Sequence, residues 1–433
     1  MTLLAASAVR DITPPLGTHF AGFAARTAPS TSIHDPLSAR AIAVGDGSSI
    51  SVVVALDLIA LTVDQHREFR RHAAATAGIP ETSVVLSVSH THGGPTVMPG
   101  ALGPEPDDGY LTILRDGAAA AVTEACSRMV PVTVSQTAGE CTEVAHNRLV
   151  QDGPTDPVVP VIEISDERGR LIAVVFSFAC HPVVLGSDNL STTADWPGAA
   201  RDVIERTLPG TTAIFLQGCC GQLNTGHSPQ ASMSATAQQG RTFTEAKRIG
   251  TRVAESVLDV VGNHRAPSIR SDVAVAESEV TIDFAEEDQL LAESIEAWQG
   301  ELVDAAPSQA RVLEMWLRWA DAVPGHAPNH VEASVAAHRW GDALISFLPG
   351  EPFVDFALDL RHETQLDDLL VAGYSGGVPG YVPYPPNMYD VRGYEIDDAH
   401  RFYGQPGVIE PTVGPRLVDA ALQTIRDATH GVG

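Results

Sequence analysis

Short apolar runs rich in valine, isoleucine and phenylalanine recur along this chain and constrain its fold more than any other feature. They are too short to be buried helices, and their composition is typical of strands covered on both faces. The runs are ISVVVALDL at 50–58, SVVLSVS at 83–89, LIAVVFSFA at 171–179, AIFLQ at 213–217, ALISFLP at 343–349 and LLVAGY at 369–374. We therefore predict that these runs form core strands.

Segments with helical spacing lie between these runs. One begins near Pro197, because proline suits the first turn of a helix, and a second spans 242–261. A third follows Pro352, with Phe353 and Phe356 three positions apart on one face. The alternation predicts an α/β fold with a mixed, largely parallel central sheet flanked by helices on both faces.

Two regions depart from the alternation. The stretch 285–321 has the pattern of two helices separated by Pro307, which predicts a helical insertion. The region 373–411 is dense in glycine, proline and tyrosine, so it cannot form long regular elements. Its tyrosine content favours a long ordered loop, and ordered loops of this length are usually functional.

The charge balance excludes several classes of partner. The 433 residues include 27 basic and 54 acidic ones, for a formal net charge of -27. Such a surface repels phosphate backbones and anionic lipids, so we expect no nucleic-acid partner. No run approaches the roughly 18 apolar residues of a membrane span, and no basic segment with a long apolar stretch opens the chain. Five cysteines without CxxC spacing suggest reduced thiols. We expect a cytoplasmic protein with no membrane insertion.

Polar side chains follow five of the predicted strands. In open α/β sheets, ligands bind beyond the carboxyl ends of the strands, where the connecting loops diverge. The segments that follow the strands are HTHGGP at 90–95, CHP at 180–182, GCCGQLN at 218–224, GEP at 350–352 and, after a short loop, Tyr381. These strand ends carry groups that can bind a metal or transfer protons.

Three of these groups match a catalytic zinc site. Such a site takes two histidines and a carboxylate from separate elements and keeps one position open for water. His90, His181 and Glu351 stand at equivalent strand ends. His92 could reach the same metal, since residues at i and i+2 of an extended chain project to one side. A His-x-His pair also occurs by chance or satisfies a hydrogen bond in a core, and the spacing leaves that alternative open.

Other polar residues have two interpretations each. Asp57 could orient a histidine ligand or cap a helix, and Asp195 could likewise be a helix cap. Arg148 could hold a carbonyl or anionic oxygen, or could lie on the surface. The adjacent Cys219 and Cys220 lack a second cysteine pair for soft-metal binding. The motif GxSxG, a P-loop and a GxGxxG opening a helix are absent, which leaves serine-hydrolase, NTPase and dinucleotide functions unsupported.

Taken in order, the motifs resemble the catalytic domain of the neutral/alkaline non-lysosomal ceramidase family. The resemblance covers nearly the whole chain. The matching segments are VRDITPP at 9–15, DPLSARA at 35–41, SHTHGGP at 89–95, HNR at 146–148, FACHP at 178–182, ADWPG at 194–198, LQGCCGQLN at 216–224, LPGE at 348–351, and GYV followed by GYE at 380–395.

The resemblance implies a zinc amidase built as a single catalytic domain over 1–433, without the C-terminal immunoglobulin-like domain of the full-length ceramidases. The ligands it implies are His90, His181, Glu351 and Tyr381. By the same resemblance, His92 would carry a proton or contact substrate beside the metal, and Arg148 would line the pocket. Tyr381 or His92 would stabilise the tetrahedral intermediate.

Two departures bear on the substrate. Asn224 stands in the segment where ceramidases carry a serine, and Gln222 stands where bacterial relatives often carry an aspartate. We expect Asn224, Gln222 and Asp195 to contact the substrate. Loss of the serine leaves open which bond is cleaved. The missing immunoglobulin-like domain and the absence of a signal peptide argue against ceramide itself, so we expect a small polar metabolite as the substrate.

The leading hypothesis is a zinc-dependent hydrolase of an amide bond in a small N-acyl compound, with Zn²⁺ as the cofactor and a small molecule as the partner. One alternative keeps the metal but cleaves a C–O bond, as an esterase or a carbohydrate-processing enzyme does. Another is a non-catalytic binding protein on the same scaffold. The sequence leaves the oligomeric state open, a homo-oligomer included.

Overall fold

The computed structural model describes residues 2–227, 239–262, 268–285, 291–323 and 325–430. The strands are β1 (Leu3–Asp11), β2 (Ser32–Ile33), β3 (Ser38–Gly45), β4 (Ile50–Leu56), β5 (Val84–Val88), β6 (Val130–Glu140), β7 (His146–Asn147), β8 (Val158–Asp166), β9 (Leu171–Phe178), β10 (Ser191–Thr192), β11 (Thr212–Gln217), β12 (Leu223–Asn224), β13 (Val273–Asp283), β14 (His330–Trp340), β15 (Ala343–Phe347), β16 (Glu351–Pro352), β17 (Leu370–Ala372) and β18 (Tyr381–Val382). The helices are α1 (Val63–Ala77), α2 (Asp108–Ser127), α3 (Asp195–Thr207), α4 (Phe243–Leu258), α5 (Leu291–Leu302), α6 (Pro307–Ala322), α7 (Asp355–Thr364), α8 (Tyr394–Asp397), α9 (Ala399–Phe402) and α10 (Val413–His430), with 3-10 turns at Glu81–Ser83 and Pro386–Asp390.

The larger sheet has eight strands in the order β11-β9-β8-β6-β1-β3-β4-β5. Its two outer pairs, β9 with β11 and β4 with β5, are parallel. The pairs between them are antiparallel. Helix α3 connects β9 to β11 and helix α1 connects β4 to β5, because a parallel pair needs a crossover connection.

A second sheet of four strands, in the order β13-β14-β15-β17, packs face to face against the larger one. Val53, Val175 and Ile214 of the larger sheet share one buried cluster with Trp340 and Ile345 of the smaller sheet. In the smaller sheet, β15 and β17 are parallel and are connected through α7. The two sheets therefore form the central layers of the molecule.

Helices cover the outer face of each sheet. Helices α1 and α2 pack on β1, β3, β4 and β5, and helices α3 and α4 pack on β8, β9 and β11. Helices α7 and α10 cover the smaller sheet. The chain thus forms four layers: helices, sheet, sheet, helices.

Helix α4 illustrates how local sequence produces this layering. The Thr242 hydroxyl accepts a hydrogen bond from the Glu245 backbone N–H and caps the helix start. Ala246, Ile249 and Val253 follow at helical spacing and are buried in the cluster shared with β8, β9 and β11. The apolar stripe therefore sets which face of the helix meets the sheet.

The insertion near 285–321 forms the helix pair α5 and α6, and Pro307 is the first residue of α6. Residues 286–290 of the predicted insertion lie outside the described residues. Trp298 of α5 and Trp319 of α6 build a small apolar cluster of their own. The Arg401 guanidinium lies over the Trp298 ring, 5.0 Å from its centroid. The insertion is therefore anchored to the segment 394–405.

The segment 373–411 is described throughout. It contains the two-residue strand β18, a 3-10 turn and the short helices α8 and α9. All six of its tyrosines are buried or partly buried. This agrees with the predicted long ordered loop.

The predicted α/β class with a large sheet flanked by helices is confirmed. Two finer expectations are wrong. The sheet is mainly antiparallel rather than largely parallel, and the runs at 343–349 and 369–374 belong to the second sheet. Helices therefore cover one face of the larger sheet, not both. A strand covered by helices on one side and by a sheet on the other is as continuously apolar as a central parallel strand, so composition cannot separate the two.

None of the helices in the described ranges is both long enough and apolar enough to cross a lipid bilayer.

Candidate metal centre

The predicted ligand groups all follow strands that pair in parallel. His90 comes two residues after β5, His181 follows β9, and Glu351 begins β16 shortly after β15. At the carboxyl ends of such strands the chain turns away into a loop or helix, which leaves room for a ligand. Two loops from the larger sheet and one from the smaller sheet therefore meet at one place.

His90 presents its Nε2 atom to this meeting point. Its ring Nδ1 lies 2.7 Å from the Ile59 carbonyl oxygen, and since a carbonyl only accepts, Nδ1 carries the proton and Nε2 has a free lone pair. The His90 backbone has φ 64°, a left-handed conformation that is uncommon for a residue with a side chain and is concentrated at functional sites. Burial lowers the pKa of His90 to about 4.

His181 is fixed in the same tautomer. Its Nδ1 lies 2.8 Å from the Cys220 carbonyl oxygen and 2.9 Å from the Leu223 carbonyl oxygen. The Trp196 indole N–H donates to the His181 carbonyl at 3.3 Å. The free Nε2 lies 3.0 Å from Oε2 of Glu351.

Glu351 is completely buried, and two phenols hold its carboxylate. The Tyr374 hydroxyl donates to Oε2 at 3.0 Å, and the Tyr403 hydroxyl donates to Oε1. Burial by itself would raise the pKa of Glu351, but His90, His181 and the Tyr403 hydrogen bond outweigh it and hold the pKa at about 2. The group is therefore a carboxylate at neutral pH.

His90, His181 and Glu351 fit a metal cation. Their ligand atoms all lie within 4.8 Å of one another, and among the described residues they are the one buried set of this kind. Two imidazole lone pairs and a carboxylate oxygen are acceptors that repel one another unless a positive charge lies between them. Two nitrogens and one oxygen are a ligand set of catalytic zinc sites.

Tyr381 lies beside these three residues. It is paired with Glu351 in the short parallel ladder of β16 and β18, and its ring is stacked on that of His181 with a centroid distance of 6.3 Å. Burial raises the pKa of Tyr381 well above its usual value. Its hydroxyl accepts a hydrogen bond from Arg148 at 3.0 Å.

Arg148 is in turn held by a buried carboxylate. Its Nε donates to Oε1 of Glu395 at 2.5 Å, and its Nη2 also donates to the Gly221 carbonyl at 3.0 Å. Burial would lower the pKa of Arg148, but Glu395, Tyr381 and Glu351 outweigh it and raise the pKa well above the usual value. The guanidinium therefore remains charged while it faces the cavity described below.

His92 lies next to His90, with 3.4 Å between their Nε2 atoms. Its Nδ1 is buried without a hydrogen-bond partner among the described residues. Gly22 packs against the ring so closely that a Cβ there would lie 2.4 Å from Nδ1, and its φ of +93° also favours glycine. Arg26 donates to the His92 carbonyl at 2.6 Å. The segment around 20–27 thus positions His92.

A cavity of about 550 Å³ opens beside the metal-binding residues. Helix α6 of the insertion forms one of its walls. The lining residues are Gly22, Phe23, Ala24, Arg26, Thr27, His92, Leu102, Gly103, Pro104, Arg148, His181, Val183, Arg311, Glu314, Met315, Arg318, Tyr381, Tyr394 and Phe402. The volume is in the range of pockets that hold small molecules.

The three residues predicted to contact substrate do not line this cavity. The Gln222 amide bonds to the Val354 N–H and to Asp355, and the Asn224 amide bonds to the chain at 226–227. The Asp195 carboxylate accepts from the backbone N–H groups of the segment 184–185 and of Trp196. In the structure, these side chains support loops around the centre.

Two other groups considered from sequence also have structural partners. Asp57 forms a bidentate ion pair with Arg201, so it neither orients a histidine ligand nor caps a helix. Cys219 and Cys220 are buried thiols whose pKa burial raises. Neither thiol belongs to the metal-binding group.

Sequence reasoning missed several residues of the site. Tyr374, Tyr403 and Glu395 were visible as polar residues of the loop 373–411, but nothing in their spacing assigns them to Glu351 or Arg148. Arg311 and Arg318 lie on an insertion with no motif. Their place at the cavity depends on how α6 packs, which no local pattern encodes.

No protein-family model matches this chain, and no curated protein does. The solved structures that share its fold include two ceramidases. A neutral ceramidase from Pseudomonas aeruginosa has a TM-score of 0.74 and 17% identity, over 98% of this chain and 74% of that one. A ceramidase complexed with C2 has a TM-score of 0.76 and 17% identity, over 99% of this chain and 75% of that one.

The chain is therefore an α/β protein with a neutral-ceramidase-like fold. This confirms, at the level of the fold, the resemblance that the sequence motifs indicated.

Proposed function

We propose that this protein is a zinc-dependent hydrolase that cleaves the amide bond of a small polar N-acyl compound. The observation that carries the proposal is the convergence of His90 Nε2, His181 Nε2 and a Glu351 carboxylate oxygen beside a cavity. The likeness of the fold to two solved ceramidases supports an N-acyl substrate.

The proposed ligands are His90, His181 and Glu351, with Tyr381 completing the set. When bound, zinc would polarise the acyl oxygen and acidify a water molecule. The protein would hold the ligands rigidly, since each imidazole is fixed by a backbone carbonyl and the carboxylate by two phenols. Such supporting hydrogen bonds orient metal ligands and raise their basicity.

Two groups are placed to stabilise charge on the reacting acyl oxygen. Arg148 faces the cavity as a fixed cation, and Tyr381 lies within its hydrogen-bonding reach. Donors held in place before the reaction cost no reorganisation when the charge develops. His92 lines the same cavity and lies beside the metal ligand His90, so it is placed to carry a proton to the leaving amine.

The cavity wall suits an acyl chain of modest length. Phe23, Leu102, Val183, Met315 and Phe402 provide apolar surface. In the proposed reaction, water adds its hydroxyl to the acyl carbon, the C–N bond breaks, and the amine nitrogen takes the proton.

Metal analysis and a substrate panel test the proposal together. Purified protein should contain about one zinc per chain, and chelation should abolish hydrolysis that added zinc restores. N-acyl compounds, O-acyl compounds and small sugars should be incubated with the zinc-loaded protein and the products followed by mass spectrometry. Full activity of metal-free protein contradicts the metal mechanism, and cleavage of O-acyl compounds or sugars alone replaces the amidase with the C–O hydrolase.

A further inference from the structure

The cavity has a charge opposite to that of the whole chain. Acidic residues outnumber basic ones by 54 to 27 in the sequence. The cavity lining instead contains four arginines and one carboxylate, Glu314. A cleft with one sign of charge concentrates ligands of the other sign, and low-dielectric walls strengthen this effect.

Two of these arginines already have structural tasks. Arg148 is paired with Glu395. Arg26 is buried, with its Nη2 on the carbonyls of Ala21 and His92. Arg148 is also the cation proposed to stabilise charge on the acyl oxygen, and Arg26 holds the backbone beside His92. The roles of the other two arginines remain to be explained.

Arg311 and Arg318 both lie on α6 and line the cavity. Arg311 is half-buried, and its Nη1 donates to the Ala25 carbonyl at 2.8 Å and to the Thr27 hydroxyl at 3.3 Å. Both partners are neutral, so the charge of Arg311 is not compensated. Arg318 is exposed and forms neither a hydrogen bond nor an ion pair with any residue that the structure describes.

Glu314 lies between these arginines in the sequence and also lines the cavity. Among the described residues it has no ion pair within 4 Å with Arg311 or Arg318, although both are close enough along the helix to form one. The wall that α6 forms therefore offers two guanidinium groups to a ligand. Guanidinium binds carboxylate through paired, charge-assisted hydrogen bonds.

We propose that Arg311 and Arg318 bind a carboxylate of the substrate, so that the N-acyl compound cleaved at the metal centre is an anion. This inference rests on the proposed amidase function and adds the substrate class. The apolar residues between the metal centre and α6 would hold the part of the molecule that joins the scissile bond to the carboxylate. The carboxylate can belong to the amine half, as in an N-acyl amino acid, or to the acyl half, as in a monoamide of a dicarboxylic acid.

Matched substrate pairs show whether the carboxylate belongs to the amine half or to the acyl half. The zinc-loaded protein should be assayed with N-acetylglycine against its methyl ester, and with N-succinylbenzylamine against N-butyrylbenzylamine. We expect the carboxylate member of one pair to have the higher kcat/KM by roughly ten- to a hundredfold, as for the loss of one hydrogen bond to a charged group. The pair that shows this preference identifies the half that carries the charge. Equal rates within both pairs overturn the inference and leave the amidase standing.

Variants of α6 test the assignment to residues. Arg318→Gln and Arg311→Gln should each reduce the ratio of kcat/KM for the carboxylate substrate to that for its neutral partner. Glu314→Gln should leave the ratio unchanged or raise it, because it removes a competing negative charge. Arg71→Gln changes an exposed arginine outside the cavity lining and is the matched control. An unchanged ratio in both arginine variants overturns the inference.

Calorimetry decides the inference even if no amide is hydrolysed. In that case the amidase proposal fails, and N-acetylglycine and N-succinylbenzylamine should each be titrated into the zinc-loaded protein. Binding of either compound that Arg318→Gln weakens by roughly tenfold supports the anion site. Binding that Arg318→Gln leaves unchanged for both compounds, or no binding of either, overturns it.

Discussion

Oε2 of Glu351 lies 3.0 Å from Nε2 of His181, although 170 positions separate the two residues in the chain. His181 follows a strand of the larger sheet, and Glu351 follows a strand of the smaller one. The packing of the two sheets therefore creates the contact. A change that loosens this packing would also open the metal-binding group.

Removing a ligand should remove the metal. We expect His181→Ala and Glu351→Gln to lose most of the zinc found in the parent protein, because each removes a member of the buried His90, His181 and Glu351 group. Tyr381 does not replace the lost ligand, because its raised pKa keeps it a neutral phenol. Elemental analysis measures the metal, and circular dichroism checks that the fold persists. His362→Ala, an exposed histidine outside the site, is the control and should retain its zinc. Full zinc content in His181→Ala would place the metal elsewhere.

Tyr381→Phe should lower kcat while the protein keeps most of its zinc. The phenol is the hydrogen-bond partner of Arg148, and we expect its loss to lower kcat by about a hundredfold, as for removal of one preorganised donor. Three ligands should still hold most of the zinc. Tyr384→Phe removes a hydroxyl that bonds Asp359 instead and should change kcat little. Equal kcat values for the two variants would exclude a role for the Tyr381 hydroxyl.

Substitutions of Glu395 and Arg148 should have non-additive effects on the free energy of unfolding. Glu395→Gln leaves a buried guanidinium without its carboxylate, and we expect a loss of about 3–5 kcal/mol in the free energy of unfolding. Arg148→Met leaves the Glu395 carboxylate buried without its cation. The double variant should lose less free energy of unfolding than the two single variants together. Denaturant titration of all four proteins gives the coupling, which we expect at about 1–3 kcal/mol. Simple additivity would mean that the ion pair contributes nothing.

The Asp57–Arg201 ion pair should make stability depend on pH. Burial would raise the pKa of Asp57, but Arg201 and Ser38 outweigh it and lower the pKa below 3.8. A depressed carboxyl pKa stabilises the fold above the unfolded value and loses that contribution as the pH falls through the folded value. We expect Asp57→Asn to cost about 3–5 kcal/mol at pH 7.

The cost of Asp57→Asn should shrink below about pH 4, where the parent carboxyl becomes protonated in the unfolded chain and then in the folded one. Denaturant unfolding across this range measures the effect. Asp202→Asn, which removes an exposed i,i+4 partner of Arg206, is the control and should cost less than about 1 kcal/mol. A constant cost for Asp57→Asn at all pH values would contradict the assigned pKa shift.

The sequence predicted six of the twelve strands in the two sheets and the strand ends that carry the ligands. The strands β1, β3, β6, β8, β13 and β14 were not predicted. His90, His181 and Glu351 each follow an apolar run that the structure contains as β5, β9 or β15. This worked because a buried strand needs a continuous apolar run, and a polar residue directly after it marks the start of a loop. The same reasoning could not show that Gln222, Asn224 and Asp195 would bond to neighbouring loops and would not line the cavity. A buried polar side chain that supports a loop and one that faces a ligand look alike in sequence.

The sequence by itself determined the local elements and the residue types available at their ends. Only the tertiary structure decided that the apolar runs divide between two stacked sheets, that Tyr374 and Tyr403 hold Glu351, and that α6 brings Arg311 to the cavity wall. The reason is physical. Apolar periodicity reports how a segment is covered, whereas strand direction, sheet membership and side-chain partners depend on contacts between residues far apart in the chain.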